Sequence, residues 1–183
     1  MRLSRLVLRH FRNLRNQELE LPSEGVALIG DNAQGKSNFL EAIYYLETLR
    51  SFRGARDDQL VRFGEDVFRI VGTAESDAPG VGASEGDAAG DAAGDRETDD
   101  RGGSTEIAAA FQKRGRKKKV TIDGQEAERL TDALGTLSAV IFSPADVDLV
   151  SGCPSERRRF LDIVLSLNES GYVKSLQDYR KIL

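Results

Sequence analysis

The stretch "GDNAQGKSN", residues 30–38, restricts the fold of this chain more than any other. Its glycines, lysine and serine have the spacing Gly-x-x-x-x-Gly-Lys-Ser. The apolar run "GVALIG" that leads into it indicates a strand buried on both faces. The following "KSNFLEAIYYLETL" carries apolar residues at helical spacing and contains no glycine or proline. A loop between a buried strand and an amphipathic helix predicts an α/β fold.

The residue types in this loop suit a nucleotide phosphate. Gly30 allows a sharp turn after the strand, and Gly35 keeps side chains away from the phosphate. Backbone N–H groups and the helix dipole would face the phosphate oxygens; Lys36 would reach the β and γ phosphates, and Ser37 would offer a hydroxyl ligand to Mg²⁺. A chance match is the alternative, against which the flanking strand and helix argue. The predicted nucleotide contacts are Gly30, Asp31, Asn32, Ala33, Gln34, Gly35, Lys36, Ser37 and Asn38.

Further motifs would be needed to choose among kinases, GTPases and motor ATPases. The sequence has no Asn-Lys-x-Asp guanine motif, which argues against a GTPase. Outside the loop itself it has no run of four apolar residues ending in Asp that could serve as a Walker B strand, and it has no Ser-Gly-Gly signature. Attack by an activated water beside Mg²⁺ needs such parts, so no catalytic residue is identified in this chain.

Periodicity places other elements around the loop. Two strands with a polar turn are predicted in "RLSRLVLRHFRNLRNQELEL", and further strands in "DVFRIVGTAE", "TEIAAAFQK", "KKKVTIDG" and "LGTLSAVIFSP". A helix is predicted from Pro154, with Phe160, Leu161, Val164 and Leu165 on one face. A second helical stripe begins at Tyr172 and runs to the end of the sequence.

Residues 76–105 differ in composition from the rest of the chain. They contain seven of the eighteen glycines and the repeat "GDAAGDAAGD", and Val81 is their only large apolar residue. Such a segment buries too little surface to offset its ordering entropy, so it is predicted to be a disordered insertion at the tip of a hairpin. A tolerated surface expansion is favoured over a regulatory acidic arm.

Charge and composition limit the function classes. The 183 residues carry a net charge of −4, yet residues 75–106 hold ten acidic residues and two arginines, so the remainder is mildly basic. This balance is compatible with a nucleic-acid partner but is also ordinary for a globular domain. The apolar runs are too short to span a membrane, and the single Cys153 excludes an internal disulfide framework. A cytoplasmic location without membrane contact is expected.

Several stretches together resemble the RecF family of bacterial recombinational repair, which is related to the SMC proteins. They are "LVLRHFRNL", "GDNAQGKSNFLEAIYYL", "SFRGARDDQLVRFG", "VIFSPADVDLVSGCPSERRRFLDIVL" and "YVKSLQDYRKIL". The resemblance covers the chain except the acidic insertion. It implies an ABC-type P-loop ATPase lobe, a mixed sheet around the phosphate-loop helix, over residues 1–153. Residues 154–183 would then begin a helical lobe.

The resemblance also implies a function. Members of this family are expected to bind ATP with Mg²⁺, to dimerise on ATP and to bind duplex DNA near single-strand gaps. They would help RecO and RecR to load recombinase in DNA repair, replication and the SOS response. Two departures bear on this chain: the family's signature motif, Walker B acid and D-loop do not occur in it, and Ala145 replaces a family glutamate.

Basic residues outside the loop have two interpretations each. By the resemblance, Arg12 and Asn13 would lie beside the nucleotide, and Arg53 and Arg56 would sense nucleotide or DNA, although exposed turns explain all four equally well. The run "KRGRKKK", residues 113–119, would form a compact patch on a hairpin for DNA phosphates, or a solvated turn. Its predicted DNA contacts are Lys113, Arg114, Arg116, Lys117 and Lys118.

Two other functions remain open on the sequence alone. A P-loop kinase for a small substrate would share the phosphate loop but would need a lid with arginines and an acidic base beside it. A non-catalytic fragment that binds only nucleotide is the other, because a lobe that ends within a helix leaves an apolar face uncovered.

Overall fold

The computed structural model describes residues 1–75, 103–169 and 171–182, apart from the side chain of Ala145. The predicted acidic insertion lies outside these residues except at its end, where Ser104 and Thr105 belong to a strand and not to the insertion. The strands are β1 Arg2–Arg9, β2 Gln17–Glu20, β3 Val67–Glu75, β4 Ser104–Gln112, β5 Lys117–Ile122 and β6 Gln125–Glu126. The α-helices are α1 Lys36–Thr48, α2 Asp57–Leu60, α3 Asp148–Ser151, α4 Pro154–Asn168 and α5 Tyr172–Ile182.

The six strands form one sheet in the order β2-β1-β3-β4-β5-β6. Every pairing among the described strands is antiparallel, so the expected mixed sheet is not found in this part of the chain. Most strands are joined by hairpins, which give antiparallel neighbours. The predicted hairpin that flanks the insertion is confirmed, since β3 and β4 pair from Val67 with Gln112 to Glu75 with Ser104.

Helix α1 covers one face of the sheet and forms the core with it. The buried side chains of α1 are centred on Tyr45 and Leu46. Phe68 of β3 makes an edge contact with Tyr45 at 5.4 Å between ring centroids. Gly72, further along β3, lets α1 approach, because a Cβ there would lie 2.6 Å from Cδ1 of Leu46. The predicted helix is therefore confirmed, although Leu40 of its predicted apolar stripe is exposed and Glu41 is buried.

Two predicted strands are wrong. Residues 25–30 and 134–143 contain no strand. Ile29 is 93% and Phe142 88% exposed, although Leu137 of the second segment is buried in the core. A continuous apolar run becomes a buried strand only when neighbouring strands supply its hydrogen bonds. None of the described strands pairs with either segment.

The two predicted C-terminal helices are confirmed as α4 and α5. Helix α4 begins at Pro154, whose missing N–H costs nothing in a first helical turn. Asp162 of α4 accepts a hydrogen bond from the Tyr172 hydroxyl at 2.8 Å and pairs with Arg180 at 3.1 Å, which joins the two helices. The apolar face of α4 stays partly exposed. No described helix is long and apolar enough to cross a membrane.

A polar cluster fastens β5 and α2 to α1. The Lys118 ammonium pairs with Asp57 at 2.9 Å, donates to the Leu49 carbonyl at 2.8 Å and lies 5.1 Å from the Tyr45 ring centroid. The Tyr45 hydroxyl donates to Asp57 at 2.8 Å. Burial, and then the charge of Asp57, raise the pKa of Tyr45, so this hydroxyl remains a donor. The Lys118 ammonium thus binds groups beside the core and is not part of the basic patch predicted on the hairpin.

Lys118 and Lys117 give a matched pair of variants. We expect Lys118→Ala to lower the free energy of unfolding by roughly 2 kcal/mol, because it leaves the largely buried Asp57 without its cation. Lys117→Ala removes an exposed ammonium from the opposite face of β5 and is expected to cost about 0.5 kcal/mol or less. Denaturant unfolding measures both, and equal losses would contradict the assignment of Lys118 to the core.

Candidate nucleotide-binding site

The phosphate loop meets α1 at Gly35, where the backbone is left-handed. Its φ is 102°, and a Cβ at this position would lie 2.7 Å from both Asn13 Oδ1 and Leu14 Cδ2. Only glycine fits such a position without strain. The turn after β1 therefore contacts the loop directly, and this contact fixes the position of Gly35 at the start of α1.

The loop and the first turn of α1 together present groups that can bind an anion. Lys36 Nζ donates to the carbonyls of Gly30 at 2.6 Å and Asp31 at 2.7 Å, so the ammonium lies across the loop. The first turn of α1 contains no acidic side chain to neutralise the helix dipole. The N–H groups of an N-terminal turn have no partner within the helix, and they suit phosphate oxygens. These residues fit the triphosphate that the sequence predicts.

Asn13 links the turn after β1 to the middle of the loop and to the first turn of α1. Its Nδ2 donates to the Ala33 carbonyl at 2.9 Å, and its Oδ1 accepts from Asn38 Nδ2 at 2.7 Å. Ala33 itself has a left-handed φ of 65°, which a non-glycine residue adopts only when its surroundings impose it. The side chain of Asn13 is part of those surroundings.

Arg12 is held by a buried carboxylate. Its Nε and Nη2 donate to the two carboxylate oxygens of Glu41 at 2.9 and 2.8 Å, and the backbone N–H of Arg12 donates to the Leu60 carbonyl at 2.7 Å. Glu41 on α1 is fully buried and also accepts a hydrogen bond from the Ser51 hydroxyl at 2.5 Å. A two-pronged arginine–carboxylate pair of this kind fixes orientation as well as distance.

A second arginine shares the same carboxylate more loosely. Arg53 Nη1 lies 3.8 Å from Glu41 Oε2 and donates to Asn38 Oδ1 at 3.1 Å. Arg12 and Arg53 therefore place two positive charges against one negative charge at the start of α1. With Lys36, the surroundings of the loop are net positive, which favours a polyphosphate.

The structure brings together some predicted residues and separates others. Arg12, Asn13, Asn38 and Arg53 join the phosphate loop, whereas Arg56 caps α2 with its side chain in solvent and no bond to this network. The predicted hairpin cations lie at the turn between β4 and β5, apart from the loop. Glu41 and Ser51 were not predicted. The one available signal was the acidic residue Glu41 within the apolar pattern of the helix, and this signal does not indicate which residue pairs with it.

Ser37 is the one metal ligand that the sequence predicts. Its side chain is exposed at the start of α1. Among the described residues, no group of three or more His, Cys, Asp or Glu side chains could hold a metal ion.

Comparison with known proteins identifies the family. A RecF protein of a Geobacter species is 36% identical over all 183 residues of this chain and 43% of its own length. One from a Cyanothece species is 37% identical over 183 residues and 42% of its own length. A solved structure described as the recombination mediator protein RecF-ATP in the RecFOR pathway superposes with a TM-score of 0.79 at 32% identity. It covers 98% of this chain and 42% of the solved chain.

The chain belongs to the RecF family. It matches the N-terminal portion of that family and spans less than half the length of the curated RecF proteins it resembles. No family model matches the chain. The RecF similarity and the fold confirm the predicted α/β class and the ABC-type P-loop lobe. The division into an ATPase lobe and the start of a helical lobe, at residue 153, stays a prediction.

Gly35 tests the contact between the loop and the turn after β1. We expect Gly35→Ala to weaken ATP binding by about tenfold or more, because the added Cβ displaces Asn13 or the loop. Gly25→Ala is the matched control, since Gly25 also has a positive φ, 94°, but no atom within 4 Å of a built Cβ. Titration with a fluorescent ATP analogue measures both variants. Equal losses of affinity would show that backbone strain, and not the Asn13 contact, is responsible.

Proposed function

We propose that this chain is the nucleotide-binding part of an ATP-dependent DNA-binding protein of recombinational repair and replication. The observation that carries the proposal is the phosphate loop of a RecF family member, joined by Asn13 and Arg12 to a buried carboxylate on α1. A solved relative at 32% identity is described as RecF-ATP. The similarity extends over the whole of this chain, including the phosphate loop.

ATP is held in this proposal by the residues from Gly30 to Asn38. Lys36 leaves the carbonyls of Gly30 and Asp31 and turns its ammonium to the β and γ phosphates. The first-turn N–H groups of α1 donate to the phosphate oxygens, and the Ser37 hydroxyl binds Mg²⁺. Mg²⁺ neutralises phosphate charge when bound. Arg12 and Asn13 keep the loop in position from below.

DNA and protein partners follow from the same family relationship. The curated relatives are named DNA replication and repair proteins, and the solved relative is placed in the RecFOR pathway. Binding of duplex DNA near single-strand gaps, cooperation with RecO and RecR, and an ATP-dependent homodimer belong to the proposal for the complete protein. So do a cytoplasmic location and a part in the SOS response.

Lys36 separates nucleotide-dependent from nucleotide-independent DNA binding. In the complete protein, Lys36→Ala is expected to weaken ATP binding by roughly 10- to 100-fold, since hydrogen bonds to charged groups contribute about 1.5–3 kcal/mol. ATP-dependent retention of DNA should be lost with it. Lys174→Ala, which removes the same charge from α5, is the matched control. DNA retention that stays ATP-dependent in Lys36→Ala would overturn the proposed function.

A further inference from the structure

The face of the sheet opposite α1 carries a row of cations. Because side chains alternate along a strand, the burial of Leu8, Phe68 and Ile70 against the helix puts Arg9 and Arg69 on the opposite face. The strand register places Arg9 directly across from Arg69. The same row continues through β4 to Lys119 of β5.

Arg9 and Arg69 form a like-charge pair. Residues directly opposite on antiparallel strands have Cβ atoms about 4.5–5.5 Å apart, and like charges in this arrangement are unfavourable. Both side chains are exposed, and none of the ion pairs among the described residues includes either of them. Lys119 differs, because it pairs with Glu126 at 2.6 Å. Glu18 on the neighbouring strand interacts electrostatically with Arg9 but forms its ion pair with Arg5, so the two arginines can share an external anion.

The hairpin between β4 and β5 extends this charge beyond the sheet. Arg114, Arg116 and Lys117 are exposed, and no ion pair within the described ranges involves them. A tight turn fixes their backbone, with a φ of 77° at Gly115 and a hydrogen bond from Arg116 N–H to the Lys113 carbonyl at 3.1 Å. Lys117 lies across from Gln112, one row from Arg69 on the same face.

An exposed aromatic ring stands beside this hairpin. Phe63 is 100% exposed on a turn closed by the hydrogen bond from Glu65 N–H to the Arg62 carbonyl at 3.0 Å. Lys113 binds that turn to the hairpin, because its Nζ donates to the Glu65 carbonyl at 2.9 Å and its backbone N–H to the Asp66 carbonyl at 2.8 Å. The turn that carries Phe63 is therefore bonded to the hairpin of the three cations, and the ring itself is fully exposed.

Unpaired cations with an adjacent free aromatic ring suit a nucleic acid better than a protein. Phosphates take the cations, and an unpaired base presents a flat π face that an exposed ring can stack on. We propose that Arg9, Arg69, Arg114, Arg116, Lys117 and Phe63, here called the outer basic face, bind DNA where a duplex passes into a single strand. The arginines and Lys117 contact phosphates, and Phe63 stacks on the first unpaired base. This inference rests on the proposed function and assigns its DNA to one surface.

Two pairs of charge variants test the phosphate contacts in the complete protein with ATP and Mg²⁺. Arg9→Gln with Arg69→Gln, and Arg114→Gln with Arg116→Gln, should each lower DNA affinity on every probe. The Arg9 and Arg69 pair, which shares one phosphate, should reduce the slope of log affinity against log salt by about 0.8, since one phosphate contact contributes about 0.7–0.9. The Arg114 and Arg116 pair, with one phosphate each, should reduce it by about 1.5. Arg158→Gln with Lys174→Gln removes the same charge from α4 and α5 and should leave that slope unchanged.

Phe63 variants test the junction. Fluorescence anisotropy compares a blunt duplex, the same duplex with a single-stranded tail, and the single strand. Phe63→Ala should lower affinity for the tailed duplex by about tenfold and scarcely change the blunt duplex, whereas Phe63→Tyr should keep the preference because it keeps a stacking ring. All these side chains are exposed, so thermal unfolding and ATP affinity should match the unsubstituted chain.

The failures of the two proposals are distinguishable. Unchanged DNA affinity in both charge pairs and in Phe63→Ala, in a chain that still binds DNA, would overturn the outer basic face and leave the proposed function standing. The face would then belong to a protein partner. Equal losses on blunt and tailed duplexes in Phe63→Ala would overturn the junction assignment. A complete protein that binds none of the three probes would overturn the proposed function and this inference with it.

Discussion

The buried carboxylate of Glu41 is the interaction on which the geometry of the candidate site depends. It lies on α1 inside the core and is bound by Arg12 from the end of β1 and by Ser51 from the segment after α1. A buried carboxylate without these partners would strongly lower the stability of the fold. With them it fixes the turn after β1 against the helix, and that turn carries Asn13 to the phosphate loop. The packing of the core and the position of the phosphate loop thus both depend on the Glu41 carboxylate.

Local patterns predicted most elements of this chain because their signals are local. The alternation in β1, β3 and β4, the helical spacing in α1 and the glycine–lysine spacing of the loop each lie within a dozen or so neighbouring residues. Asn13 beside the loop was predicted from a resemblance to related proteins and is bonded to Ala33 in the structure. Glu41 could not be assigned in this way, because its partners are 29 and 10 residues away in the sequence.

Predictions failed where they depended on distant partners. Residues 25–30 have the composition of a buried strand, but pairing decides whether such a run becomes one, and the described strands leave it unpaired. Lys118 belongs by sequence to a basic run, yet the two-residue period of β5 turns it towards Asp57 and leaves Lys117 in solvent. Conversely, Arg9 and Arg69 are sixty positions apart, and only the register between β1 and β3 shows that they face each other.

A double-mutant cycle between Arg12 and Glu41 tests the central claim most directly. Glu41→Gln, Arg12→Gln and the double variant are compared for ATP affinity at a temperature where unfolding scans show all of them folded. If the pair holds the phosphate loop, each single variant weakens ATP binding, and the double variant is little worse than either, with a coupling of about 1–3 kcal/mol. Additive losses, or an ATP affinity that stays constant while stability alone falls, would contradict the account.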